Sequence, residues 1–226
     1  MAIISLSGLI GSGKDTVSDY LVKEHGFLRA SFADTLKDAV AAVFGWDRVM
    51  LEGKTPHARA EREKVDQWWS KRLGMPALTP RWVLQHWGTE VCRQGFSDEI
   101  WIASLEKKLI TMADKNVVVS DARFMNELAM LENIGATTIQ VQRGELPSWW
   151  ETAVSANTDP TAADAMTALG IHRSEWDWAA FSFDTIILNN GTLESLFKVV
   201  DMMLPRAATK NLAEYDDDHH QYCVAI

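Results

Sequence analysis

Gly8-Leu9-Ile10-Gly11-Ser12-Gly13-Lys14-Asp15-Thr16 follows directly on the apolar run Ile3-Ile4-Ser5-Leu6-Ser7. The spacing is Gly8, four residues, Gly13, Lys14, and it reads as a loop that grips phosphate. Glycines let the backbone turn its N–H groups inward and approach a polyphosphate unobstructed, and Lys14 adds a mobile positive charge. Val17, Tyr20 and Leu21 continue at helical spacing, so the loop falls between a strand and a helix N-terminus, where the dipole and free N–H groups favour anions. One position departs from the usual pattern. Asp15 stands where a Ser or Thr normally follows the lysine, and the hydroxyl arrives one residue later at Thr16.

Outward from the loop, short apolar runs suited to buried parallel strands recur near 2–7, 28–32, 116–120, 137–142 and 184–188, with helical patterns between them. The helix expected near 98–113 puts Trp101, Leu105, Leu109 and Met112 on one face, and the last helix does the same with Leu193, Leu196, Phe197 and Val200. Right-handed crossovers between parallel strands then predict an α/β fold, a three-layer doubly wound, mainly parallel sheet. Ligands in such folds sit beyond the carboxyl ends of the strands.

Two stretches break the rhythm. From Trp46 to Pro80 there is no strand-like run but a charged helical pattern, Ala58 to Lys64, followed by Val65-Asp66-Gln67-Trp68-Trp69; it reads as a helical insertion over the substrate side. From Gly144 to about Ile171, with Pro147 and Pro160, the chain reads as irregular, a lid or binding loop over about 144–172. The expected organisation is one domain over 1–204 and a solvated acidic tail over 205–226.

The formal net charge of −9 argues against wrapping a nucleic-acid backbone, which needs clustered Lys and Arg. Cys92 and Cys223 cannot build a disulfide framework, so a reducing cytoplasm is the expected compartment. No secretory signal and no membrane span of about twenty apolar residues is legible. His219, His220 and Cys223 fall short of the four ligands a structural metal site normally needs. Of the ten tryptophans most are expected to pack, a minority to stack on a base. A homodimer is common among small cytosolic enzymes, although no interface patch is legible.

Phosphoryl transfer needs two phosphates brought in line and their charge neutralised, so basic residues at strand ends are the candidates. Val117-Val118-Val119-Ser120-Asp121-Ala122-Arg123 ends a buried strand with an acid and a base two apart. Asp121 could hold Mg²⁺ through water, fix a basic neighbour, or cap a helix starting near Arg123; Arg123 could meet the transferring or accepting phosphate. Lys37 lies one turn into a helix after the second strand, and either reaches an acceptor phosphate or faces solvent. Pro80 opens a helix on which Arg81 and Gln85 share a face, one for charge and the other for a base-edge hydrogen bond. Arg143, ending the fourth strand, is a candidate for the donor nucleotide. His172-Arg173-Ser174-Glu175 follows the long loop, and Asn189-Asn190-Gly191-Thr192 reads as a turn and helix cap.

These residues together resemble the phage-type deoxynucleoside monophosphate kinases, a branch of the P-loop nucleoside monophosphate kinase superfamily. The similarity runs from residue 2 to about 204 and rests on Gly13 to Thr16, Leu36-Lys37-Asp38-Ala39, Arg81 with Gln85 to Glu90, and Trp101 after Phe96. It continues through Asp121-Ala122-Arg123 with Asn126-Glu127, Gly135-Ala136-Thr137, Arg143, His172 to Glu175, and Asn190 to Glu194. The Gly-Lys-x-Thr ending likewise resembles small-molecule phosphotransferases more than GTPases or motor ATPases. The resemblance implies a core that closes on ATP and a deoxynucleotide, with Mg²⁺, to make ADP and a deoxynucleoside diphosphate in the cytoplasm, the host's if the chain is phage-encoded. Gly11, Ser12, Gly13, Lys14, Asp15 and Thr16 would grip ATP, and Lys37, Arg81, Gly88, Trp101 and Arg123 would form the deoxynucleotide site. Two other readings keep the loop: a kinase of another metabolite such as dephospho-coenzyme A, and an ATP-dependent binding or regulatory protein without transfer. The accepted base is not legible in the sequence.

Overall fold

The computed structural model describes residues 2–210, and for 205–210 the backbone alone; the acidic tail beyond, with His219, His220 and Cys223, lies outside the described residues. The chain divides into two compact units, one holding residues up to Ser31 and from Leu109 onward, the other Phe32–Lys108.

The first unit carries the sheet. Strands β1 (Ile3–Ser7), β2 (Leu28–Ala30), β3 (Val117–Val119), β4 (Thr137–Gln142) and β5 (Thr185–Leu188) lie in the order β2-β3-β1-β4-β5, every pairing parallel. All five residues of β1 and all three of β3 are buried, which is why these strands read as unbroken runs and not as alternating ones. Ile4 pairs with Val118 on one side and Thr137 on the other, fixing β1 as the middle strand. Ile4, Leu6, Val118, Ile139, Val141 and Ile187 point to one face, where Val17 and Leu21 of α1 (Lys14–His25) pack against them. Leu196 and Val200 of the last helix, Leu193–Lys210, close the same core, but Leu193 itself is 61% exposed. It is the first residue of that helix, so the expected apolar face begins one turn later than the spacing suggested.

The second unit is helical: α2 (Asp34–Phe44), α3 (Arg48–Glu52), α4 (Pro56–Arg62), α5 (Gln67–Leu73), α6 (Pro80–His86), a π-helical stretch Trp87–Gln94, and α7 (Ile100–Ile110), whose last two residues belong to the first unit. The helical reading of 46–80 holds, and the N-termini show why: Thr55, Asp66 and Thr79 each accept a hydrogen bond from the backbone three residues on, with Pro56 and Pro80 opening α4 and α6. Much of the tryptophan load packs here. Phe44 stacks on Trp46 at 4.5 Å and meets Trp69 and Trp87 edge-on or tilted, while the Trp46 and Trp69 indoles donate to Asp66 and the Phe44 carbonyl. On α7, Trp101, Leu105 and Leu109 are buried as expected, but the helix ends at Ile110, leaving Met112 in the following turn.

Back in the first unit, α8 (Met125–Asn133) packs on β4. The stretch read as irregular forms two helices, α9 (Trp150–Ser155) and α10 (Pro160–Ala168), joined by a small core of Ala153, Ala156, Ala162, Met166 and Trp176. Pro160 misled because it opens a helix: it is the first residue of α10, behind an Asp159 cap that accepts from Thr161 N at 2.9 Å. The helix Leu193–Lys210 is α11. Among the described residues no helix is long and apolar enough to cross a membrane.

Candidate functional site

The loop from Gly8 to Gly13 leaves the carboxyl end of β1, flanked by β3 and β4, where connections diverge to either side and doubly wound sheets bind ligands. Two glycines there leave no room for a side chain as the loop stands. A Cβ on Gly8 would overlap the Val141 carbonyl oxygen of β4, and one on Gly13, at φ 101°, would overlap the Asn189 amide. Gly13 precedes α1 without side-chain capping, so the first-turn N–H groups have no acceptor within the helix. Ser12 Oγ is buried without a hydrogen-bond partner. A glycine cradle, an uncapped helix start and an orphaned buried hydroxyl fit a polyphosphate.

Asn189, read from sequence as a turn residue, fixes the loop from behind. Its Nδ2 donates to the Ser12 carbonyl at 2.8 Å and its own N–H to Gln142 O at 2.7 Å. Next to it, Asn190 Oδ1 accepts from Gly144 N at 2.7 Å, and Thr192 caps α11 through Ser195 N, as expected of that residue. Asn189→Ala strips the buried Ser12 carbonyl of its partner. The expected cost is about 1–3 kcal/mol in urea unfolding, together with weaker ATP binding.

Lys14 is half-buried at the start of α1. Burial pushes its ammonium below the ordinary lysine value, Asp15 works against that, Arg123 adds to it, and Glu175 and Asp121 oppose it. Asp121 and Arg123 therefore lie within electrostatic reach of Lys14, as the sheet order requires: β3 ends beside β1. Asp121 accepts from Ser31 Oγ, at the end of β2, at 2.5 Å. At the start of α8, Glu127 accepts from Arg123 N at 2.7 Å and Phe124 N at 3.3 Å, and Asp177 accepts from Met125 N at 2.9 Å. The Arg123 guanidinium pairs with Glu175 at 2.6 Å, and Asp177, 2% exposed, also holds Arg173. His172–Asp177 is thereby bolted to the segment that carries Arg123, a role invisible in the sequence because the partners lie 52 residues apart. Arg143 follows β4 and is exposed.

The remaining expected residues belong to the second unit. Lys37 does not face solvent; its side chain is 15% exposed and meets Glu52 at 2.9 Å. Arg48 also pairs with Glu52 and with Asp38, and Lys108 pairs with Asp34. Arg81 meets Glu63 at 3.2 Å, Gln85 is exposed one turn along the same helix, and the Trp101 indole donates to Gly88 O at 2.9 Å.

Burial works to raise the Glu52 carboxyl, but Lys37 and Arg48 more than offset it and hold it at about 2, from an ordinary 4.5. A depressed carboxylate contributes stability that is present above the unfolded value and lost as pH falls through the folded one. The stability gap between wild type and Glu52→Gln should therefore be constant above about pH 5 and close toward about pH 2, as urea unfolding at stepped pH would show.

Among the described residues no group of three or more His, Cys, Asp or Glu could hold a metal ion. Mg²⁺ held by one or two carboxylates, phosphate oxygens and water needs no such group; Asp15, Glu175 and Asp121 are the carboxylates within electrostatic reach of Lys14.

No profile of a known protein family matches the chain. A protein of Acanthamoeba polyphaga mimivirus named "Putative deoxynucleotide monophosphate kinase" is 27% identical over 226 residues, covering 93% of this chain and 100% of that protein. Among solved structures, a sugar kinase from Janibacter sp. is 15% identical with a TM-score of 0.41, covering 93% of this chain and 98% of its own. TT1252 from Thermus thermophilus is 18% identical with a TM-score of 0.43, covering 91% and 97%. Superpositions this loose carry no argument about the site. The chain is an α/β protein with a glycine-rich loop at the carboxyl end of the central strand of an all-parallel sheet, similar along most of its length to a viral relative that bears a nucleotide kinase's name.

Proposed function

We propose that the protein is a deoxynucleoside monophosphate kinase, transferring the γ-phosphate of ATP to a deoxynucleoside monophosphate to give ADP and the diphosphate. The observation that carries this reading is the glycine cradle at the carboxyl end of β1, with Lys14 and Arg123 brought together beside it from positions 109 residues apart. The viral relative's name supports the acceptor class.

In this reading Gly11 to Thr16 bind the ATP phosphates, with backbone N–H groups and Lys14 spreading the charge that builds on them. Arg143 serves the donor nucleotide. An acceptor phosphate oxygen attacks the γ-phosphorus while its bond to the bridging oxygen breaks, and ADP leaves with that electron pair. A phosphate monoester is largely dianionic at neutral pH, so the attacking oxygen needs no general base. Arg123 neutralises the transferring group, and Asp121 would take part in holding Mg²⁺, which screens the β- and γ-phosphates when bound. In the second unit Lys37 and Arg81 bind the acceptor phosphate, and Gln85, Gly88 and Trp101 its nucleoside.

A turnover screen with ATP and the common deoxy- and ribonucleoside monophosphates, read as ADP release, tests the proposal. Turnover with at least one deoxynucleotide is expected; none across the panel overturns it, and turnover with a different metabolite reassigns the acceptor.

A further inference from the structure

Arg62 ends α4 half-buried, and the surroundings of its guanidinium do not account for it. Nη1 donates to Leu51 O across 3.3 Å, a long bond, while Nε is buried without a hydrogen-bond partner. The group lies flat on Gly53, where a Cβ would overlap it, so the turn after α3 leaves room for this side chain. Leu51 and Gly53 flank Glu52, the partner of Lys37. On the other side, Arg62 precedes Glu63, the partner of Arg81. Arg62 thus lies within electrostatic reach of Arg81, Arg59, Glu63 and Glu52 at the corner between α3 and α4, with Lys37 and Arg48 reaching the same corner through Glu52. Lys37, Arg48 and Arg81 are paired with these carboxylates, and Arg62 has its nearest carboxylates turned to other partners.

Such an arrangement is costly without an anion. A cation taken from water and set near another is stabilised only by something negative. Burial, first, and the charges of Arg81 and Arg59 lower the affinity of Arg62 for its proton; Glu63 and Glu52 oppose them without cancelling them, the direction expected where cations outweigh the carboxylates near them. We propose that Arg62 binds the acceptor phosphate monoester together with Lys37 and Arg81, its planar fork supplying paired N–H donors to the phosphate oxygens. This rests on the kinase reading, which places Lys37 and Arg81 at the acceptor. A phosphate monoester suits the site better than a carboxylate, because its two negative charges and three terminal oxygens match several cations at once. The net charge of −9 turns a nucleic-acid backbone away.

Arg62→Met keeps the apolar stem over Gly53 and removes the charge; Arg62→Gln keeps a donor for Leu51 O and serves if the first variant does not fold. In kinase assays the acceptor KM should rise about tenfold to a hundredfold, with the ATP KM changed less than about threefold. A merely structural arginine would lower the unfolding midpoint and leave the acceptor KM alone, and that result overturns the proposal, as does an equal rise in both KM values. Calorimetric titration with inorganic phosphate and with the four common deoxynucleoside monophosphates separates this idea from the kinase reading. If wild type transfers to no acceptor yet binds phosphate at least about tenfold more tightly than the variant, the anion site stands and the kinase reading falls. If phosphate binds both equally, or binds neither, Arg62 has no such role, whatever the assay shows.

Discussion

Lys14→Ala is expected to lower turnover by roughly a hundredfold or more, the scale on which a single preorganised charge at a transferring phosphate acts. The fold should survive, and the structure says why. The Lys14 ammonium is penalised by burial, and Arg123 adds to the penalty, with Asp15, Glu175 and Asp121 opposing. A lysine with a lowered folded value costs stability wherever it is charged in both states, and that cost vanishes as pH rises past the unfolded value. At neutral pH the variant sheds the cost, so its unfolding midpoint in urea should match or exceed wild type. The loss is then one of function alone, with ATP phosphates as the missing counter-charge that makes the buried ammonium favourable in the complex. Lys14→Met, which keeps the stem, should be equally inactive. Near-native turnover in either variant would remove Lys14 from the chemistry, and a large drop in stability would mean that the side chain acts mainly as a structural one.

Features that local chemistry dictates were legible in the chain. Strands β1 and β3 were readable because the middle of a parallel sheet buries both faces and writes them as nearly unbroken apolar runs, and the loop because glycines at fixed spacing have few other uses. The 144–172 stretch was misread because proline marks both the start of a helix and the end of one, and only the Asp159 cap distinguishes them. Residues that act through distant partners left no local trace. Asn189 holds Ser12 across 177 positions, and Glu175 holds Arg123 across 52. The signal available for Asn189 was its place just past the last strand, at the sheet edge where the loop also lies. For Arg62 there was none, since a charged helix in an insertion reads as a solvated surface until α3 and α6 are folded against it.

Gly8→Ala should damage both stability and function, which sets it apart from Lys14→Ala. The added methyl runs into the carbonyl oxygen of Val141 and comes within 2.6 Å of Ser12 Oγ. Val141 belongs to β4, and β4 is locked to β1 by the pairing of Leu6 with Ile139 and Ser7 with Gln140, immediately before the glycine. Neither strand can retreat without lengthening ladder hydrogen bonds in the middle of the sheet. The contrast with Gly13 is instructive. A methyl there meets the end of the Asn189 side chain, so Asn189→Ala in the same molecule would remove that clash and leave only the backbone strain of a side chain at φ 101°. Nothing comparable relieves Gly8, because its obstacle is backbone. Overpacking against a rigid neighbour costs about 1–3 kcal/mol, and the upper part of that range is expected here in urea unfolding. The strand end and loop must shift to make room, which takes the N–H groups off the phosphate positions, so ATP affinity measured by calorimetry should fall by about tenfold or more. If Gly8→Ala unfolds at the wild-type midpoint and binds ATP normally, the close approach of the loop to β4 is not the feature that shapes the phosphate cradle.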